Sequence, residues 1–186
     1  MQNVNMRKFE DSHPSEKFRY CPACGDDNLC FDSRKLFSCG KCGFTLYINP
    51  ATAVAAIIET GDGRIVLTRR KREPRAGFLD LPGGFVDPNE SAENALSREI
   101  FEELGIKINS ARLFATAPNK YIFNGLLYFT CDLGFICRSE ELGRIIPADD
   151  VSEAILVRPE DINFKEIGFP SIVNILQRYI MQKSRE

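Results

Sequence analysis

Short apolar runs separated by polar breaks set the rhythm of the chain from residue 49 onward. ATAVAAIIE (51–59) and RIVLT (64–68) read as two strands, and the intervening ETGDGR suits a hairpin because Gly61-Asp62-Gly63 accepts turn conformations. GFLDLPGG (77–84) is a shorter strand ending in a glycine turn. ARLFATA (111–117) and the aromatic stretch YIFNGLLYFTCDLGFI (121–136) extend the sheet, and EAILV (153–157) closes it. PSIVNILQRYIMQK (170–183) is an amphipathic helix opened by Pro170. RSEELGRIIPADD (138–150) is polar and rich in turn residues, so it reads as a loop or insertion. The pattern is one α/β unit, without internal repeat or low-complexity tract.

A second helix lies within GGFVDPNESAENALSREIFEELGI (83–106). Pro88 and Asn89 break the preceding strand, Ser91 caps, Glu93 sits in the first turn where the helix dipole favours an acid, and Gly105 stops the helix. At about 100° per residue, Ala92, Leu96, Ile100 and Leu104 form one apolar stripe. Glu99, Glu102 and Glu103 share an arc of about 100° with the small Ala92 and Ala95. Like charges four apart repel by a few tenths of a kcal/mol, so a merely soluble helix would intersperse lysines. Carboxylates at this spacing are the hard oxygen ligands that Mg²⁺ prefers, and a divalent cation turns their repulsion into shared attraction. A solvated acidic face is the plain alternative, but it does not account for the Gly-Gly turn and the Arg98-Glu99 pair at fixed offsets.

The chain before residue 49 follows different rules. Cys21 and Cys24 in CPACG and Cys39 and Cys42 in CGKCG stand as two C-x-x-C pairs with fourteen residues between them. Doubled pairs of this kind resemble a zinc ribbon. Gly25 and Gly43 follow the second cysteine of each pair and permit the positive φ of a tight knuckle. About 30 residues cannot enclose a sufficient apolar core, so a tetrahedral Cys₄ Zn²⁺ would supply much of the module's folding free energy, as a structural rather than a catalytic ion. Cys30, Cys131 and Cys137 lack such partners and read as small core residues.

Composition narrows the function classes. With 186 residues there is room for one medium domain and a small accessory one, and the net charge of −2 creates no global field toward nucleic acid or an anionic membrane. Through residue 48 seven Lys/Arg face six Asp/Glu, which speaks against a ribbon that grips nucleic acid. The longest aliphatic run, AVAAII (53–58), is far shorter than the roughly 20 residues that span a bilayer. The N-terminus lacks a signal-peptide core, so the expected location is cytoplasmic. The only histidine, His13, lies in a polar N-terminal arm, which leaves a histidine triad without raw material.

Gly84, five residues, Glu90, seven residues, Arg98-Glu99-Ile100, one residue, Glu102-Glu103, one residue, Gly105-Ile106: this spacing reproduces the Nudix signature without a departure. The resemblance implies a Nudix α/β/α sandwich with mixed sheet over 49–186, preceded by a small Cys₄ zinc ribbon over 17–48 and an arm over 1–16. It implies Mg²⁺- or Mn²⁺-dependent hydrolysis of a nucleoside diphosphate linked to another moiety. Glu99, Glu102 and Glu103 would hold the divalent ion, with the Gly84 carbonyl as a further ligand. Glu99 or Glu102, with Glu153 as an outside candidate, would take the water's proton, and Arg98 would orient a carboxylate or hold Glu90. Gly83 and Gly84 let backbone approach metal and phosphates.

A ribbon joined to such a domain resembles NADH pyrophosphatase-like members. Their SQPWPFP-type motif is here replaced by FATAPNKYIFNGL (114–126), a departure from NADH specificity. Pro118 and Tyr121 lie near positions where ADP-ribose- and dinucleoside-polyphosphate-cleaving members carry a proline or tyrosine. RRKREPR (69–75) offers Arg69, Arg70 or Arg75 for phosphate contacts, with a solvated loop as the alternative. Phe114, Tyr121 and Phe123 would stack on a base or fill the core. The leading reading is a small-molecule hydrolase acting on ADP-ribose, NAD(H) or a related nucleotide. An RNA-associated, decapping-like enzyme and a non-catalytic nucleotide sensor are the alternatives, and the resemblance leaves room for a homodimer.

Overall fold

The computed structural model describes residues 13–32 and 36–185, so most of the expected N-terminal arm, residues 1–12, lies outside the described residues. The chain divides into two compact units, Met1–Pro50 with Lys120–Phe129, and Ala51–Asn119 with Thr130–Glu186.

In the first unit, helix α1 (Pro14–Lys17) precedes three antiparallel strands, β1 (Leu29–Phe31), β2 (Leu36–Cys39) and β3 (Thr45–Tyr47), in the order β1-β2-β3. His13 is not in a polar arm. It caps α1 by accepting the Ser15 N–H at Nδ1, is buried, and packs its ring against Phe31 and Phe129 with centroids 5.2 and 5.8 Å away. Cys30 is likewise not a core residue: it lies exposed on β1.

The second unit is built on a mixed six-stranded sheet, ordered β6-β5-β4-β8-β7 with β9 also pairing β5. Its strands are β4 (Ala51–Glu59), β5 (Ile65–Arg70), β6 (Leu79–Asp80), β7 (Ser110–Phe123), β8 (Leu126–Arg138) and β9 (Val151–Val157). β4 and β8 are parallel, from Ala51↔Thr130 to Glu59↔Arg138. The ETGDGR hairpin forms as expected: Glu59 pairs with Ile65 and Gly63 adopts φ 83°. The boundary between β7 and β8 differs from expectation. It falls at Asn124-Gly125, both with positive φ (48° and 74°), which splits the aromatic stretch into the end of one strand and most of the next. Asn-Gly is the dipeptide that a tight hairpin turn requires.

Helix α2 (Ala92–Leu104) has the expected ends, with Ser91 Oγ accepting the Asn94 N–H at 3.2 Å and Gly105 at φ 68°. Ala95, Leu96, Ile100 and Leu104 are fully buried against Val54, Ala56 and Ile58 of β4, Val66 of β5, and Phe135 and Cys137 of β8. Each large side chain so buried contributes about 1.5–3 kcal/mol. Helix α3 (Pro170–Lys183) serves the opposite face. Ile175 lies against Gly134, where even a Cβ would meet it at 2.7 Å, and the Tyr179 hydroxyl donates to Glu59 at 2.9 Å. The result is the α/β/α sandwich with mixed sheet. Among the described residues no helix is long and apolar enough to cross a membrane.

Between β4 and β5 the sheet opens after its first pair, and residues 82–86 enter the gap. The Pro82 and Gly84 carbonyls accept the Ala56 and Val54 N–H groups at 2.8 Å, and Val86 N–H donates to Thr52 at 3.0 Å. This seats the glycine turn on the central strand, directly beneath α2.

Candidate active site

Arg98 organises the acids. Its Nε and Nη2 bind Glu90 through both carboxylate oxygens at 3.0 and 2.9 Å, and its Nη1 donates to Glu99 at 2.7 Å and to Glu102 at 3.1 Å. Nη2 also reaches the Phe85 carbonyl at 3.0 Å, which ties the helix to the strand after the glycine turn. A planar fork with five donors can do this, whereas a lysine cannot. Arg98 thus bonds Glu90 and, with the same guanidinium, Glu99 and Glu102.

The acids sit in graded environments. Glu102 has a side chain 46% exposed, while Glu103 is 8% exposed and accepts the Gly83 N–H at 2.9 Å. Burial pushes the Glu103 carboxyl up to about 8, against the Gly83 hydrogen bond, with Glu99 and Asp80 adding like charge. Glu99 is also raised by burial, against the attraction of Arg98. Glu90 is lowered, chiefly by Arg98. One guanidinium thus binds Glu90, Glu99 and Glu102, while Glu103, the deepest acid, has no ion-pair partner among the described residues and feels only the more distant attraction of Arg70. That deficit, built from hard oxygen donors, fits a divalent ion such as Mg²⁺ or Mn²⁺.

Both glycines are needed where they stand. At Gly83, φ is 141° and a Cβ would run into the Val54 carbonyl oxygen. At Gly84 a Cβ would lie 2.6 Å from the Glu99 carboxylate. The Gly84 carbonyl accepts the Val54 N–H, and a carbonyl oxygen has a second lone pair.

The basic run is held by its own surroundings. Arg70 bonds Asp80 at 3.1 Å and the Pro74 carbonyl at 2.9 Å, and lies over the Phe169 ring. Burial raises Asp80 to about 6 despite Arg70. Arg69 is joined to Glu153 at 2.9 Å across the β5–β9 ladder, within the strand expected from EAILV. Arg75 stacks over Phe78, and Arg72 pairs with Asp150 at 2.8 Å. Tyr121 belongs to the first unit, stacked on Phe123 with centroids 6.4 Å apart, and Phe114 meets Tyr179 edge-on. Asp80, Thr130 and Asp132, all buried, escaped the sequence reading. The available signal was an acid within an otherwise apolar strand run, as in FLDL and FTCDLGF.

The four cysteines form a second constellation. Their sulfurs all lie within 4.8 Å of one another, with Cys21–Cys42 and Cys24–Cys39 at 3.7 Å. Tetrahedral zinc with Zn–S near 2.3 Å demands sulfurs about 3.8 Å apart, so the set fits that ion. Gly25 and Gly43 adopt φ 73° and 74° and donate back to the Cys21 and Cys39 carbonyls, two copies of one knuckle. The backbone N–H groups of Cys42 and Lys41 pull the Cys39 thiol down to about 7, toward the thiolate a metal needs.

Comparison with known proteins bears on the family and the fold. A NUDIX domain profile covers residues 49–179. The NAD-capped RNA hydrolase NudC of Vibrio parahaemolyticus is 30% identical over 128 residues, 68% of this chain and 48% of that protein. The ADP-ribose pyrophosphatase of Methanocaldococcus jannaschii is 43% identical over 79 residues, 41% of this chain and 46% of its own. The chain thus spans about half the length of the curated relatives it matches. A crystal structure of a NUDIX hydrolase from Nitrosomonas europaea superposes with a TM-score of 0.68 at 24% identity, over 90% of this chain and 93% of that one. That likeness is one of fold.

Proposed function

This chain belongs to the NUDIX family, and from that we propose that it is a Mg²⁺- or Mn²⁺-dependent hydrolase of the diphosphate linkage in a nucleoside diphosphate joined to another moiety. The observation that carries this is the arrangement of Glu90, Glu99 and Glu102 around Arg98, with Glu103 fixed on the Gly83 N–H above the glycine turn. Glu99, Glu102, Glu103 and the Gly84 carbonyl would hold the ion, which when bound neutralises the diphosphate and lowers the pKa of a water. The water oxygen then bonds to phosphorus, the bridging P–O bond breaks, and Glu99 or Glu102 takes the proton. Products are two phosphomonoesters. Arg98 orients the carboxylates throughout.

In this reading residues 49–186 form the catalytic domain, and residues 17–48 a ribbon closed by structural zinc. ADP-ribose and NAD(H) are the first substrates to try, because relatives named for ADP-ribose and for NAD-capped RNA both match. The second name keeps an NAD-bearing RNA end as a second candidate. The test incubates full-length protein with Mg²⁺ or Mn²⁺ and ADP-ribose, NAD(H), nucleotide sugars, triphosphates and NAD-capped RNA, scoring phosphomonoester ends. Release from none of them would overturn the proposal.

A further inference from the structure

Glu59, the last residue of β4, has a side chain only 13% exposed and three partners. The Tyr179 hydroxyl donates to it at 2.9 Å, Lys183 Nζ lies 3.1 Å away, and Arg138 Nε 3.6 Å away. A carboxylate is costly to bury unless it is paired, so this acid fixes the groups around it. Tyr179 is itself buried, Lys183 lies over its ring, and both come from the last turns of α3. Arg138 is the loose member. Its contact is too long for a hydrogen bond, its side chain is 75% exposed, and among the described residues it has no other ion-pair partner. Arg112 of β7, on the same recess, has no ion-pair partner among the described residues either.

Two hollows meet at this group. The smaller, about 370 Å³, places Arg112, Arg138 and Lys183 around Glu59, three cations against one acid. The larger, about 900 Å³, shares Glu59, Arg138, Tyr179 and Lys183 and runs toward the β4–β5 hairpin, with an apolar wall of Leu142, Pro159 and Ile180. Its own cation, Arg64, is already held by Asp62 at 2.8 Å, and Glu140 and Glu160 also line it. Positive charge is thus in excess in the smaller hollow alone. Both volumes fall in the range of small-ligand sites, about 300–1,000 Å³. No acid of α2 lines either one. The glycine turn bonds β4 at Val54, five residues before Glu59, which is roughly 17 Å along the strand.

We propose that the two hollows form a second ligand site, separate from the carboxylate cluster, for a phosphomonoester of nucleoside size. The phosphate lies among Arg112, Arg138 and Lys183, and the rest of the ligand fills the larger hollow. A phosphomonoester carries about −1.5 to −2 charges at pH 7, which matches the excess of the smaller hollow. The Arg138 fork has the planar geometry to take two phosphate oxygens at once. Glu140 and Glu160 repel the phosphate from the larger hollow but accept hydroxyl and amine hydrogens, and the apolar wall covers the flat part of a nucleoside. No metal is required, whereas the acids of α2 repel a phosphate until a cation joins them.

The test is equilibrium binding to the full chain in magnesium-free buffer at pH 7, with AMP, adenosine and inorganic phosphate as probes. AMP should bind saturably and at least about tenfold more tightly than either of the others, because each of those makes only part of the contacts. Arg138→Ala should weaken AMP about tenfold and Arg112→Ala about three- to tenfold. Both side chains are exposed, and Glu59 keeps Lys183 and Tyr179 in either variant, so melting temperatures should not move. Glu102→Gln should leave AMP binding in this buffer as it is. The inference is overturned by absent AMP binding, by adenosine or inorganic phosphate binding as tightly as AMP, or by unchanged AMP affinity when both arginines are replaced. Hydrolysis with Mg²⁺ is read separately, so this site and the hydrolase reading stand or fall independently.

Discussion

The cysteine cluster and the carboxylate cluster of this chain are built on opposite plans. The cysteine cluster is closed: four sulfurs at tetrahedral spacing, two matched glycine knuckles, and no side chain of another kind among them. The carboxylate cluster is open. Its acids are spread from the surface (Glu102) to the interior (Glu103), and an arginine rather than symmetry holds them apart. A set that is complete once filled can only hold a fold together, whereas a set left with excess charge can still bind and react. The difference teaches where to expect a stability defect and where to expect a loss of turnover.

The largest expected effect is on the closed set. Structural zinc in small modules supplies apparent free energies of about 10–16 kcal/mol, which is also folding free energy. Purified protein should carry one zinc, and Cys39→Ser should lose it along with amide protection over residues 17–48, read by hydrogen exchange. Retained protection there without metal would show that the ribbon folds on side-chain packing. Next comes the open set: Glu102→Gln should lower turnover by about 10²- to 10⁴-fold with an unchanged melting temperature, because the residue is exposed and packs little. A collapse in melting temperature instead would move Glu102 from chemistry to structure.

The third test pits stability against function within one residue. Glu103 has a folded pKa of about 8 against an unfolded value of 4.5, so between these the folded state binds the extra proton. In magnesium-free buffer the stability of the wild type is therefore greatest below about pH 4.5 as far as this group decides it, and falls as pH rises through 8. Glu103→Gln should remove that slope and stabilise the magnesium-free protein near pH 8 by about 2–4 kcal/mol, while its hydrolysis falls. Denaturation at pH 6 and 8 checks both signs. Stabilisation absent at pH 8 would mean that the buried carboxyl is already neutralised by another group.

Local rules explain which parts were legible beforehand. The ends of α2, its apolar stripe and both cysteine knuckles depend on neighbours within a few residues, so spacing alone placed Ser91, Leu96, Gly105, Gly25 and Gly43. Long-range packing was not legible. Nothing local tells that Arg70 turns inward to Asp80, that His13 finds Phe129, or that Cys30 faces solvent. The helical wheel grouped Glu99, Glu102 and Glu103 but left open which of them the glycine turn would cover, because that turn arrives from another strand. Asn124-Gly125 is a different case. Its hairpin signal is local, and the apolar residues on both sides masked it.

The smallest effect separates the two glycines of the turn, and with them packing from ligation. Gly83→Ala has no conformational room, since φ is 141° and the obstacle is the Val54 backbone, which cannot move without opening the sheet. Gly84→Ala meets only the end of the Glu99 side chain, which can swing aside. The first should unfold readily. The second should stay within about 1 kcal/mol of wild type in stability, yet displace one carboxylate of the cluster and weaken the Mg²⁺ dependence of turnover about tenfold, because one of several oxygen ligands is misplaced. Titration of activity with Mg²⁺ measures it. If Gly84→Ala left the Mg²⁺ requirement untouched, Glu99 would serve Arg98 and not the ion, and the open set would shrink to Glu102 and Glu103.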